Sequence, residues 1–119
     1  MSREFINIEK NERITPIKKT LELIDQSNDI LISDQTVLIH NFCNTSLKVI
    51  EFSSLGYFIN QNDLELIVNK NNVYLLEKSY FEESIFKERY SNSFKTLETF
   101  KLSVLHKENN FQVLKISIK

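Results

Sequence analysis

Apolar residues in the first quarter of the chain recur with the spacing of a helix. A threonine followed by a proline comes directly before them, and both residue types are favoured at helix starts. The pattern predicts a helix over residues 16–26, with a strand through residues 20–24 as the alternative. Residues 1–13 are polar and mixed, and they are predicted to form a short edge strand or a frayed end. The predicted helix has three apolar residues on one face: Ile17, Leu21 and Ile24.

From residue 29 onward, the spacing of apolar residues changes to the period of two that is typical of strands. β-branched and aromatic residues are frequent here, and an Asn-Thr-Ser turn separates two of the segments. The only glycine, Gly56, lies in a further strand-like run, where a glycine indicates a bulge or a close backbone approach. The predicted strands cover residues 30–32, 36–42, 47–52 and 55–59.

Two hairpins and a second helix complete the pattern. The first hairpin joins residues 64–68 to residues 73–77 through an asparagine-rich turn. The second occupies residues 98–118, where phenylalanine, leucine and valine alternate with polar residues. Between the hairpins, apolar side chains spaced four apart predict a helix over residues 80–92.

These elements predict an α+β fold in which an antiparallel sheet of five to seven strands packs against two helices. A partly open β-barrel is the alternative, because strands followed by a helix have an element order similar to that of pleckstrin-homology barrels. The chain has 119 residues and no linker rich in glycine or proline, so residues 1–119 are predicted to form a single domain.

Composition adds a charge pattern and an expected compartment. Asparagine, isoleucine and lysine are abundant while alanine is missing, which indicates an AT-rich genome. The net charge of −1 is unevenly spread, with an acidic stretch over residues 20–86 and a basic one over residues 87–119. Because Cys43 is the only cysteine and the N-terminus lacks an apolar signal core, we expect a cytoplasmic protein without disulfides. No run approaches the length of a membrane span.

The sequence carries no pattern of a known catalytic centre, and the prediction leans towards a protein that is not an enzyme. One glycine excludes both phosphate-binding glycine loops. His40 and Cys43 lie three apart, but a zinc site needs three or four ligands and His106 is distant in sequence. We therefore expect no metal, no cofactor and no nucleophilic cysteine.

Two candidate surfaces remain. Carboxylates on neighbouring strands would form an acidic patch for a basic partner, and two tyrosines are expected at its surface, whereas the other aromatics of the region, Phe58 among them, are expected mostly in the core. The candidate interaction residues are Glu51, Glu65, Glu77, Tyr57 and Tyr80. Basic and aromatic residues interleave near the C-terminus, as in single-stranded nucleic-acid binders. The candidate nucleic-acid residues there are Lys101, Lys107 and Lys115.

Three functions follow from these observations. The first is a small cytoplasmic protein-binding module, such as an accessory, inhibitor, immunity or chaperone-like protein. The second is a small-ligand protein or enzyme with a cavity inside the curled sheet, lined by His40, Tyr57 or Glu65. The third is single-stranded nucleic-acid binding through the C-terminal hairpin, which the slightly acidic net charge disfavours. The sequence also leaves open a homodimer through an unpaired edge strand.

Overall fold

A computed structural model describes residues 3–42 and 46–119, with side chains from residue 13 onward except at residues 43–45. Cys43 therefore lies outside the described residues. The described residues form five α-helices and five strands, which alternate as far as β3, and short 3₁₀ turns follow β2 and β3. The helices are α1 (Arg3–Leu23), α2 (Thr36–Phe42), α3 (Gln61–Lys70), α4 (Ser84–Arg89) and α5 (Ser91–Glu98). The strands are β1 (Ile30–Ser33), β2 (Lys48–Glu51), β3 (Val73–Lys78), β4 (Phe100–Lys107) and β5 (Phe111–Ile118).

The strands form one open sheet in the order β2-β1-β3-β5-β4. Strand β1 pairs in parallel with both β2 and β3, whereas β5 pairs antiparallel with β3 and β4. The predicted α+β class is confirmed, and five strands lie within the predicted range of five to seven. The sheet is mixed, however, so the predicted antiparallel pairing is matched only in part, at β3, β5 and β4. The sheet does not close into a barrel, and the described residues form five helices where two were predicted.

Helices cover both faces of the sheet and bury a separate core on each. On one face, α1 and α2 pack Ile17, Leu21 and Ile39 against Leu31 and Leu76. On the other face, α3, α5 and the turns beside them form the larger core. That core contains Ile32, Phe52, Leu64, Leu75, Phe81, Leu97 and Ile116. The inner strand β1 has all four residues buried, because apolar side chains meet it from both faces.

Two predicted strands are helices. Residues 36–42 form α2, because parallel strands β1 and β2 need a crossover connection that a hairpin cannot supply. Residues 61–70 form α3, where a capping box fixes the first turn: the Asn60 side chain accepts from the Asp63 amide at 2.9 Å. The predicted first hairpin was therefore wrong, and only its second strand, β3, exists. The stretch 55–59 is a loop closed by one isolated bridge between Leu55 and Ile59.

The predicted helices exist with different bounds. Helix α1 begins well before the predicted start and runs through Pro16, so the proline is internal. The Pro16 carbonyl accepts a hydrogen bond from the Thr20 hydroxyl at 2.7 Å. The predicted helix 80–92 is divided into a 3₁₀ turn, α4 and the start of α5. The hairpin predicted over residues 98–118 is confirmed by β4 and β5. Within the described part of the chain, no helix combines the length and hydropathy needed to cross a membrane.

Candidate interface at the carboxyl edge of the sheet

The three parallel strands end at the same side of the sheet, and their following segments meet there. We call residues 34–36, 51–60 and 77–83 the carboxyl edge. The connection from β1 leads to α2 on one face of the sheet, while the connection from β3 leads to α4 and α5 on the other. Neighbouring strands whose connections leave to opposite faces create a crevice between them, and this crevice is the common binding position of open α/β sheets.

A hydrogen-bonded network fills the crevice between β1 and β3. The Tyr80 hydroxyl donates to Asp34 Oδ2 and accepts from the Gln35 side-chain amide at 3.1 Å. Burial, followed by the negative charge of Asp34, raises the pKa of Tyr80, so its phenol remains a donor at physiological pH. The second oxygen of Asp34 is buried without a hydrogen-bond partner among the described residues.

Two further polar pairs lie beside this network, one reaching β2 and the other joining β3 to β5. The Thr36 hydroxyl donates to Glu51 at 2.6 Å, which links the segment after β1 to the end of β2. On β3, Glu77 accepts from the Gln112 side-chain amide at 2.7 Å. Burial raises the pKa of Glu77, and the nearby Glu82 carboxylate adds to the increase. These side chains are mainly bonded to one another, which makes the edge a fixed polar surface.

Loop 52–60 rises from this edge and is anchored by Phe52. The Phe52 ring is fully buried and contacts four other aromatic rings. Its centroid lies 4.9 Å from that of Phe81 and 5.2 Å from that of Phe94. Aromatic pairs in this distance range stabilise a core beyond the area they bury. The base of the loop is therefore part of the core.

Backbone contacts fix the rest of the loop. The Ser54 carbonyl accepts from the amides of Tyr57, Phe58 and Ile59, at 3.0 to 3.2 Å. The buried Ser93 hydroxyl of α5 donates to the Leu55 carbonyl at 3.0 Å. Gly56 has φ +87°, and a Cβ at this position would lie 2.7 Å from the Asn92 carbonyl oxygen. Only glycine combines this φ with so close an approach of two backbones.

The fixed loop holds two aromatic side chains in solvent. Tyr57 is 67% exposed and Phe58 is 87% exposed. Two further apolar residues with high exposure lie just beyond the other connections of this edge: Val37 in the first turn of α2 and Ile85 in α4. Exposed apolar side chains thus occur on or beside all three connections that leave the parallel strands.

The structure brings together most of the predicted interaction residues. Glu51, Glu77, Tyr57 and Tyr80 all belong to the carboxyl edge, although they come from separate segments of the chain. Glu65 lies apart from them, exposed on α3. Tyr80 is half-buried, and its hydroxyl group is bonded to Asp34 and Gln35 within the internal network.

Phe58 is the functional candidate that the sequence interpretation missed, because it was expected in the core. The signal was the capping box that begins at Asn60. Residues directly before a helix cap belong to a connection, and a short connection cannot bury two adjacent aromatic side chains. Recognition of the cap would have placed Tyr57 and Phe58 together in a loop.

The predicted nucleic-acid residues lie on the hairpin, where Lys101, Lys107 and Lys115 are exposed. The phenylalanines that would stack on bases, Phe100 and Phe111, are both buried. Base stacking needs an accessible ring face. The phenylalanines of the hairpin therefore form part of the core, and they leave the lysines without stacking partners beside them.

The residues expected to line a cavity or to hold a metal are also separated. His40 and Glu65 are exposed on helices that cover opposite faces of the sheet, and Tyr57 is in the loop. His106 bonds to Glu108 at 2.7 Å on the hairpin. In the described part of the chain, no three His, Cys, Asp or Glu side chains form a metal-binding group.

Comparison of the chain with protein-family models, with curated proteins and with solved structures finds no match. The carboxyl edge supplies two features: a rigid pair of exposed aromatic side chains, and carboxylates around it. The segments that define this edge contain five carboxylates and a single lysine, Lys78.

Proposed function

We infer that this chain is a non-enzymatic protein-binding module of the cytoplasm, and that its carboxyl edge docks onto a basic surface containing an apolar pocket. The observation that carries this proposal is the pair Tyr57 and Phe58, held in solvent by a loop with a fixed backbone. An accessory, inhibitory or immunity role would use such a surface, since each depends on binding another protein.

The rigidity of the loop supports a binding role for the aromatic pair. Single exposed apolar residues are common on protein surfaces and need no explanation. Here, by contrast, two adjacent rings are supported by a positive-φ glycine, a buried serine and three amides on one carbonyl. An aromatic side chain that is already ordered loses little conformational entropy on binding, and aromatic anchors dominate the energetics of many interfaces.

The charge of the carboxyl edge selects the partner. Its carboxylates at positions 34, 51, 77, 82 and 83 outnumber its one lysine, and the wider stretch 20–86 is strongly acidic. Lys87 reduces this charge locally, because its ammonium lies 3.4 Å from the Glu82 carboxylate. The negative charge that remains on the edge attracts a partner with lysine or arginine around the pocket that receives the two aromatic rings. It also accelerates association at low ionic strength.

The proposal is tested by quantitative capture from native lysate with the tagged wild-type protein and a Tyr57→Ala/Phe58→Ala variant. We expect the variant to retain its fold. Its affinity for the main partner should fall by about thirtyfold, as for the loss of a central aromatic anchor. The control is Leu66→Ala, which removes an apolar side chain from α3 that is 60% exposed, close to the 67% of Tyr57. Partner binding by the control should equal that of the wild type.

The captured partner then allows the charge argument to be tested by titration. Its affinity for the wild-type protein should fall as salt is added, since the contacts around the rings are electrostatic. A partner that binds the double variant as tightly as the wild type would contradict the proposal. Failure of the wild-type protein to capture any stoichiometric partner would contradict it as well.

A further inference from the structure

Strand β4 forms an open edge of the sheet. It pairs with β5 on one side, and none of the described strands pairs with its other side. It is eight residues long, and six of its residues are exposed. A long edge strand leaves a row of backbone N–H and C=O groups unpaired, which is a template for an additional strand.

One face of this edge is apolar. The pairs Leu102 with Ile116 and Val104 with Leu114 place these side chains on the same face as Phe100 and Ile118. Leu102 is 38% exposed, Val104 57% and Ile118 41%, so the apolar surface continues past the cover that α5 supplies. A shallow groove of about 260 Å³ runs beside it between α5 and β4. The groove is lined by four apolar residues and two carboxylates: Phe94, Leu97, Phe100, Leu102, Glu77 and Glu98. An acidic segment therefore has to place its carboxylates on the face opposite this groove.

The opposite face of the same edge is basic. The pairs Lys101 with Ser117 and Ser103 with Lys115 place both lysines on this face, where both are exposed. Neither β4 nor β5 contains an aspartate or a glutamate. An added strand therefore meets apolar side chains on one face of the sheet and ammonium groups on the other. Because successive side chains of a strand point to opposite faces, a segment with two alternating residue types matches both faces.

We propose that β4 binds an extended segment of another protein in which apolar and acidic residues alternate. Its apolar residues continue the surface of Leu102 and Val104, and its carboxylates lie opposite Lys101 and close to Lys115. Cross-strand pairs of opposite charge stabilise a sheet, whereas like charges destabilise it. The lysines of this surface and the rings of the aromatic loop belong to different segments, and Glu77 lies at the boundary between the two regions.

The same charges disfavour a second copy of this chain as the occupant. Antiparallel alignment of two β4 strands over their full length places Lys101 of one copy opposite His106 or Lys107 of the other. His106 is already bonded to Glu108 at 2.7 Å, but neither β4 nor β5 has an aspartate or a glutamate that would compensate a pair of lysines. The β-bulge between Val104 and His106 also interrupts regular pairing near the end of β4. The regular part available to a partner is therefore Phe100–Val104.

The test uses two synthetic peptides with blocked ends, one alternating Glu with Val and the other alternating Lys with Val. We expect the Glu peptide to bind at least about fivefold more tightly than the Lys peptide, with the preference decreasing as salt is added. Binding of the Glu peptide should also slow amide exchange at alternate residues of Phe100–Val104, because their outward N–H groups become hydrogen-bonded.

Charge-swapped variants make the test specific. The Lys101→Glu/Lys115→Glu variant should prefer the Lys peptide, while the control Lys70→Glu, on the exposed last turn of α3, should keep the wild-type preference. The Tyr57→Ala/Phe58→Ala variant should bind the Glu peptide like the wild type, which separates this surface from the aromatic loop. Equal binding of the two peptides, unchanged exchange in β4, or a wild-type dimer in sedimentation would each overturn the proposal.

Discussion

Loop 52–60 and strand β4 both expose apolar side chains, but the structure supports them in different ways. The loop is fixed from below by the buried Phe52 ring and by a close approach to α5. Strand β4 is regular secondary structure that contributes a single buried side chain, Phe100, to the core. The loop lies among carboxylates, whereas β4 and β5 carry only basic charged residues.

This difference predicts how each region responds to substitution. Changes under the loop remove core contacts, so they reduce global stability together with partner binding. Changes along β4 remove surface that only a partner would cover, so they reduce binding without reducing stability. Stability and binding are therefore coupled at the buried base of the loop, and they are uncoupled at its exposed rings and along the outer strand.

The largest effect is expected where the loop enters the core. Phe52→Ala removes a fully buried ring from an aromatic cluster, and it should lower the free energy of unfolding by about 3–5 kcal/mol. Phe58→Ala removes the same side chain from an exposed position and should change that free energy by less than about 0.5 kcal/mol. Urea denaturation followed by circular dichroism measures both. Similar costs for the two variants would show that the loop is not arranged as described.

A smaller loss is expected at the tip of the loop. Gly56→Ala introduces a Cβ that meets the Asn92 carbonyl and a positive φ that alanine disfavours, so it should cost about 1–3 kcal/mol. Gly56→Asn separates the two causes, since asparagine tolerates a positive φ but carries the same Cβ. If the close approach to α5 dominates, both variants lose similar stability. A neutral Gly56→Ala would contradict the fixed backbone on which the proposed interface depends.

The outer strand should tolerate substitution best. Val104→Ser replaces an exposed side chain on β4, so the free energy of unfolding should change by less than about 0.5 kcal/mol. The same variant should bind the alternating Glu peptide more weakly than the wild type, because the apolar face is smaller. Thermal denaturation and peptide titration on one sample measure the two effects. A large loss of stability would mean that this edge is covered within the chain itself.

The two regions also differ in how far the sequence predicts them. The hairpin of β4 and β5 is local: a short turn joins strands that pair with each other, and alternating side chains mark both. The parallel half depends on contacts between distant segments, and its strands β1 and β2 have only four residues each. Because β1 is buried on both faces, its sequence lacks the alternation that separates a strand from a helix.

The same limit applies to the candidate interface. Composition and charge indicated an acidic surface with tyrosines, and four of its predicted residues lie on the segments of the carboxyl edge. That position depends on the parallel order of β2, β1 and β3, whereas the sequence interpretation had these strands in an antiparallel sheet. The hydrogen bond between Tyr80 and Asp34, 46 positions apart, has no local signal in the sequence.

The smallest effect is expected from pH, at Glu77, which lines the apolar groove beside β4 and belongs to the carboxyl edge. Burial raises its pKa in the folded protein above the ordinary value of 4.5, so the folded state binds the proton more tightly than the unfolded state. Its contribution to stability is therefore fully present below pH 4.5 and is lost as the pH rises through the raised pKa.

The Glu77→Gln side chain stays neutral at every pH and keeps an oxygen that accepts from Gln112, so the variant should not show this loss of stability. In urea denaturation between about pH 4 and about pH 8, the midpoint of the variant relative to that of the wild type should increase as the pH rises. The exposed Glu65→Gln control should show no such gain, and a difference between Glu77→Gln and the wild type that is constant with pH would contradict the burial of this carboxylate.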